Sequence, residues 1–228
     1  MLIIYFICGC VIGSFLCLVA ERVPVGKSIV YPASHCSYCQ TKLKIFELIP
    51  IISILFLRFR CRYCRHQLSW IYFFSELICG LICLNVSFKT IHPLYSLFFL
   101  LIGVVLSLTD IFYLIVEPKI FYLLSVILCI GHIYLALPVY LFTSLITFLS
   151  LLSLNFIFKN SIGGGDIVIL TLWGALIGAK SLIFLLLIAS SSGLIFLLFC
   201  RFVLKKTIRQ LPFVPFLSIG LFVVFLCK

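Results

Sequence analysis

The chain has 228 residues, 64% of them apolar and only 10% charged, with a mean hydropathy of +1.36. That composition excludes a soluble domain and implies an all-α polytopic membrane protein. The net charge of +11 raises nucleic-acid binding. However, the basic residues cluster beside apolar runs, as in cytoplasmic loops, so the bilayer and not nucleic acid is the expected partner.

The first apolar run, 2–20, lacks a basic lead-in and a small-residue cleavage site, so it reads as a retained span. Further apolar runs fall at about 70–88, 94–115, 120–136, 138–157, 167–179, 181–200 and 211–227, giving eight expected transmembrane helices. The sixth is short and is divided from the seventh only by Gly178, Ala179 and Lys180. Basic residues concentrate in 21–69 (Arg22, Lys27, Lys42, Lys44, Arg58, Arg60, Arg62, Arg65) and in 201–209. Placing 21–69 in the cytoplasm puts fourteen Lys and Arg inside against three outside, a strong orientation signal. The 21–69 loop and both aspartate-bearing edges are therefore expected on the cytoplasmic side of a membrane, with both termini outside.

Between the first two runs lies the one sizeable extramembrane segment, and its Ile45–Leu57 stretch reads as interfacial or re-entrant. A loop this small needs a staple. Cys36-Ser37-Tyr38-Cys39 and Cys61-Arg62-Tyr63-Cys64 supply one. Two such knuckles suit four thiolates around one tetrahedral Zn2+, and a reducing cytoplasm disfavours disulfides. His35 and His66 flank the knuckles as alternative ligands. The remaining eight cysteines read as small buried hydrophobes.

Asp110 and Asp166 sit at the edges of apolar runs, where an ionised carboxylate is costly and functional by default. The topology brings both to the same cytoplasmic depth, although 56 residues separate them. Paired carboxylates can share one proton and divide acid and base roles, which points to hydrolysis. Gly163-Gly164-Gly165 before Asp166 allow close helix or substrate approach, and the run lacks the Lys-Ser/Thr of a nucleotide-binding loop. Glu117, before Pro118 and Lys119, reads most simply as a loop carboxylate facing water.

These stretches together resemble the type IV prepilin leader peptidases, also called prepilin peptidase/N-methyltransferases, particularly their competence-system members. The resemblance rests on Gly13-Ser14-Phe15-Leu16, Arg22-Val23-Pro24, both cysteine pairs, Phe46-Glu47-Leu48-Ile49-Pro50 and Ser75-Glu76-Leu77. It continues through the Asp110 segment, Gly163-Gly164-Gly165-Asp166 and Pro212-Phe213-Val214-Pro215-Phe216-Leu217, nearly end to end. It implies that Asp110 and Asp166 are the two catalytic aspartates of an aspartic endopeptidase. The implied substrates are prepilin-like precursors: type IV pilins, or competence or type II secretion pseudopilins. It also implies S-adenosylmethionine-dependent methylation of the new amino terminus. The sequence shows no methyl-donor fingerprint, and Glu21, Glu47 and Glu76 are only candidates for positioning a donor. The chain departs from the family at Val116-Glu117-Pro118, where Ile-Pro-Asp/Asn is common, and at Val168, where lysine is common.

The expected organisation is a first span over 1–20, a four-cysteine loop over 21–69 associated with methyl transfer by resemblance, and a transmembrane aspartyl peptidase region over 70–228. Two alternatives remain open. One is another intramembrane aspartyl protease of the Gly-x-Gly-Asp type. The other is a non-enzymatic, zinc-stapled membrane scaffold or transporter. The precursor cleaved and the oligomeric state are not legible.

Overall fold

The computed structural model describes residues 2–89, 92–158, 162–205 and 210–227, with side chains omitted at 87–89. Expectations resting on the Lys89 side chain and on Lys159, Ser161, Lys206, Arg209 and Lys228 lie outside these described parts. Among the described residues the architecture is all helical, without a strand. Nine α-helices run in order: α1 (Leu2–Arg22), α2 (Ile52–Phe56), α3 (Trp70–Lys89), α4 (Pro93–Tyr113), α5 (Pro118–Tyr134), α6 (Leu141–Ile157), α7 (Gly164–Ile177), α8 (Ala179–Phe202) and α9 (Val214–Leu226). A 3-10 turn, Ile45–Leu48, precedes α2.

Among the described residues three helices, α1, α4 and α8, are long and apolar enough to cross a membrane. The other five expected runs form shorter apolar helices. Eight spans are therefore not established by length: α5, α6, α7 and α9, of 17, 17, 14 and 13 residues, fall short of the about 20 that a typical crossing needs. The chain divides into two compact units, Met1–Leu97 and Phe98–Lys228.

In the first unit α1 packs on α3 through small residues. A Cβ at Gly9 would lie 2.5 Å from the Cys79 carbonyl oxygen and 2.7 Å from Gly80 Cα; one at Gly13 would lie 2.6 Å from the Ser75 oxygen. Gly9 and Gly13 are four apart and form the small-residue stripe that lets transmembrane helices meet backbone to backbone. Cys10, Cys17, Cys79 and Cys83 are buried in this unit, as expected of small hydrophobes, whereas Cys8 and Cys227 are exposed.

In the second unit, Ser107 and Ser218 bond at 2.7 Å, and the Ser218 hydroxyl also donates to the Gly103 carbonyl, joining α4 to α9. Phe99 meets Trp173 of α7 and Phe225 of α9 edge-on, with centroids 5.7 and 5.5 Å apart. Gly220 lets α9 approach the Leu185 carbonyl of α8. The turn from α7 to α8 uses Gly178 at φ +81, under the Tyr140 ring. The Tyr140 N–H donates to the Ala175 carbonyl at 2.8 Å, tying the start of α6 to α7.

Replacing Gly13 with leucine is expected to destabilise the α1–α3 pair by about 1–3 kcal/mol through overpacking. Val11→Leu, on an exposed face of α1, is expected to be neutral. Thermal unfolding of both variants in detergent checks this.

Candidate active site and metal centre

Asp110 lies in the last turn of α4 and is buried. Its Oδ2 accepts the backbone N–H of Val214 at 3.0 Å. Val214 is the first residue of α9, where an N–H has no intrahelical acceptor. The next residue, Pro215, has no N–H to offer. A carboxylate there also meets the positive end of the helix dipole.

Asp166 occupies the first turn of α7, which begins at Gly164 after Gly163. The three glycines have different tasks. A Cβ at Gly163 would lie 3.3 Å from Asp166 Oδ2, so its absence leaves room for the carboxylate to fold back over the helix start. A Cβ at Gly165 would strike the Val116 side chain at 2.5 Å. At Gly164 a Cβ would meet nothing within 4 Å, so this face of the turn is open.

The structure brings Asp110 and Asp166 within electrostatic reach of each other. The segment Ile115–Lys119 joins them physically: Val116 seats on Gly165, and Glu117 is the residue before α5. Glu117 is buried, with 8% of its surface exposed. It does not face water as expected, because Pro118 turns the chain into α5 and packs this residue inward. Val168 lies two residues beyond Asp166, about 200° around the helix. It lines a crevice of about 310 Å³ with Ser125, Phe148 and Thr171, on the face of α7 turned away from Asp166. The departure at Val168 therefore leaves the aspartate pair untouched.

In the first unit the sulfurs of Cys36, Cys39, Cys61 and Cys64 lie within 4.8 Å of one another. Cys36 and Cys64 sulfurs are 3.9 Å apart, and Cys39 and Cys61 4.0 Å. Tetrahedral zinc with bonds of about 2.3 Å needs sulfurs about 3.8 Å apart, so the set fits that ion. The two knuckles are built alike. The Cys36 N–H donates to the Thr41 carbonyl and the Gln40 N–H returns to the Cys36 carbonyl. Likewise the Cys61 N–H donates to the His66 carbonyl and the Arg65 N–H returns to the Cys61 carbonyl. Gln40 and Arg65 take φ +57 and +56 at equivalent places.

Hydrogen bonds from the Thr41 side chain and backbone bring the Cys39 thiol down to about 6. The Cys64 backbone N–H likewise lowers Cys61. Cys64 is pushed up to about 11: the His66 N–H works to lower it, but desolvation and the other sulfurs outweigh that bond. Negative charge crowded onto four sulfurs is what a dication relieves. His35 bonds the Ala33 carbonyl through Nδ1, and His66 stacks on Tyr38 at 4.2 Å. Neither histidine joins the sulfur cluster.

The three candidate methyl-donor carboxylates already have protein partners. Glu21 accepts the Tyr72 hydroxyl at 3.0 Å. Glu47 accepts the Lys44 N–H at 2.9 Å, and Glu76 accepts the Ile51 N–H at 2.6 Å. Each of these bonds uses one carboxylate oxygen and leaves acceptor capacity on the group. Sequence reasoning missed Val214, whose N–H acts at a separation of 104 residues and leaves no side-chain signature.

Two family models match consecutive stretches: the bacterial peptidase A24 N-terminal domain over residues 7–90 and the type IV leader peptidase family over 97–198. A prepilin leader peptidase/N-methyltransferase of Bacillus subtilis (strain 168) is 30% identical over 96% of this chain and 92% of its own length. A protein of the same name from Myxococcus xanthus is 31% identical over 82% of this chain and 59% of the relative. A type 4 prepilin-like proteins leader peptide-processing enzyme of Escherichia coli O78:H11 is 30% identical over 93% and 88%. No solved structure matches the chain. The resemblance thus extends through both compact units and includes both aspartates and all four knuckle cysteines: the chain belongs to the type IV leader peptidase family.

Proposed function

We propose that the protein is a membrane aspartic endopeptidase that removes the leader from type IV prepilin-like precursors, with Asp110 and Asp166 as its catalytic pair. The observation that carries this reading is that both carboxylates stand at helix ends, Asp110 in the last turn of α4 and Asp166 in the first turn of α7, with Val116 of the segment after α4 against Gly165. Coupled carboxylates titrate as a unit and can hold one proton between them. One takes a proton from a water placed between the pair. Its protonated partner polarises the scissile carbonyl and then supplies a proton to the leaving amine. Val214 orients Asp110 through its backbone N–H, and open space at Gly164 supports approach of a peptide.

The proposed division of labour gives hydrolysis to the helices of residues 70–228, with a span over 1–20 and a zinc-stapled loop over 21–69. Zinc on Cys36, Cys39, Cys61 and Cys64 supplies no bond-making chemistry here. These thiolates hold two knuckles together in a loop too small for a core. The excess of Lys and Arg in that loop supports its placement, and that of the catalytic edge, on the cytoplasmic face of the cytoplasmic membrane. The relatives' names also support N-methylation of the trimmed amino terminus. Glu21, Glu47 and Glu76 remain the acidic residues nominated to position the methyl donor, each with one bond to the protein. The four-sulfur cluster favours this reading over other Gly-x-Gly-Asp proteases, and the placing of both aspartates at helix ends favours it over a scaffold.

Asp110→Asn and Asp166→Asn are each expected to lower cleavage of a purified precursor by at least about 10²–10⁴-fold, while membrane insertion survives. Full cleavage by both variants refutes the assignment. Gly165→Ala is expected to impair cleavage by displacing Val116, whereas Gly164→Ala is tolerated; the same assay compares them. Metal analysis of wild-type protein is expected to give about one zinc per chain. Cys36→Ser is expected to lose the metal and expose 21–69 to protease. Mass measurement of the cleaved product with S-adenosylmethionine present decides whether one methyl group is added.

A further inference from the structure

The stretch between the two knuckles bends sharply at Ile51, which takes φ +61 and ψ −53. The Ile52 N–H donates to the Pro50 carbonyl at 2.5 Å, closing a three-residue γ-turn of the strained hand. A β-branched residue adopts this conformation only where its surroundings enforce it. Two carboxylates do so. Glu76 of α3 accepts the Ile51 N–H at 2.6 Å and so pins the bend to a helix paired with the spanning α1. Glu47, its side chain only 4% exposed, accepts the Lys44 N–H and the Tyr63 hydroxyl and faces Arg62 at 3.8 Å. It thereby fixes the 3-10 turn against the second knuckle.

The segment held this way is apolar on its outside. Ile45, Phe46, Ile52, Leu55 and Phe56 are exposed at 82, 78, 53, 51 and 85%. These side chains are unusually exposed for a stretch so firmly anchored. Lys42 and Lys44 stand before it and Arg58 and Arg60 after it, all exposed and without an ion-pair partner among the described residues. An apolar surface between cations matches an anionic lipid interface, whose acyl region takes the rings while its phosphates take the charges. A protein partner would have to supply acidic groups around an apolar socket, and the bilayer beside α1 and α3 already supplies both.

We propose that Ile45–Phe56 is a lipid-inserting foot: Phe46 and Phe56 enter an anionic membrane surface, Lys42, Lys44, Arg58 and Arg60 bind its headgroups, and Glu76 latches the foot to α3. The four cations act together on one anionic headgroup layer, so the attraction depends on the lipid's charge. The foot would fix the height of the cysteine loop over the bilayer, independently of whether the aspartates hydrolyse peptides.

The test uses full-length Phe46→Trp and Phe56→Trp proteins reconstituted in phosphatidylcholine vesicles with and without phosphatidylglycerol. Acyl chains carry bromine either near the headgroup or deep. Wild-type fluorescence from Trp70 and Trp173 gives the baseline, and zinc content confirms a folded loop. The expected result is quenching above baseline, stronger for shallow bromine and increased by phosphatidylglycerol. Replacing Lys42, Lys44, Arg58 and Arg60 with glutamine is expected to abolish that increase. Glu76→Ala is expected to reduce shallow quenching, and Glu76→Gln, which keeps an acceptor oxygen, to restore it. Quenching at baseline in zinc-loaded protein overturns the proposal, as does concentration-dependent self-association that protects both tryptophans from bromine.

Discussion

A carboxylate set into an apolar helical protein must find a donor or stay uncharged, and the second unit is arranged around that constraint. Asp110 finds its donor at the open end of α9, where the Val214 N–H has no helical partner. The side chain that needs a donor thus meets a backbone group that needs an acceptor. This requires the end of α4 and the beginning of α9 to coincide in depth, and the Ser107–Ser218 bond sets that register about one turn away. Phe99, packed against both Trp173 and Phe225, fills the remaining space on the same side of α4. The polar contacts set helix position, and the aromatic contacts fill what they leave.

Packing in the first unit follows from the solvent. Lipid is as apolar as leucine, so burying large side chains gives little net drive, and close backbone approach becomes the main source of attraction. Gly9, Gly13 and Gly80, with cysteines between them, permit that approach along α1 and α3. Cysteine suits the seam because its volume is small and its sulfur is polarisable. The many large apolar residues left exposed on α1 and α8 are what a lipid-facing surface requires.

The helical class and the four-sulfur cluster were legible because each is a local pattern: long apolar runs, and paired cysteines at fixed spacing. The helix starting near Asp166 was legible from three glycines. Helix lengths were less so. The apolar run at 211–227 begins with Leu211, Pro212 and Phe213 before α9 starts at Val214, since hydropathy does not distinguish a coil entering a helix from the helix itself. The fate of Glu117 was hidden because burial depends on what Pro118 and α5 pack against. Glu47 and Glu76 read equally well as binding, capping or packing groups, and only their partners settle how the fold uses them. The γ-turn at Ile51 had no signal, because β-branched residues seldom adopt such a bend.

The shortness of α7 bears directly on the chemistry proposed for Asp166. Its 14 residues give a helix of about 21 Å, less than the about 30 Å hydrocarbon thickness of a bilayer. A crossing by α7 must therefore borrow length from non-helical chain at one end. At Gly178 the chain turns at once into α8 under Tyr140, whereas Gly163 before the helix is extended and a Cβ on Gly164, the first helical residue, would meet nothing within 4 Å. Non-helical backbone at membrane depth survives where it lines water or packs in protein. The Gly163 end has the open space that water needs, and it carries the aspartate. A longer helix with an ordinary cap would bring its first turn into the headgroups and satisfy its own N–H groups. The glycine-led start instead leaves Asp166 partly exposed in the first turn, as the hydrolysis proposed for it requires.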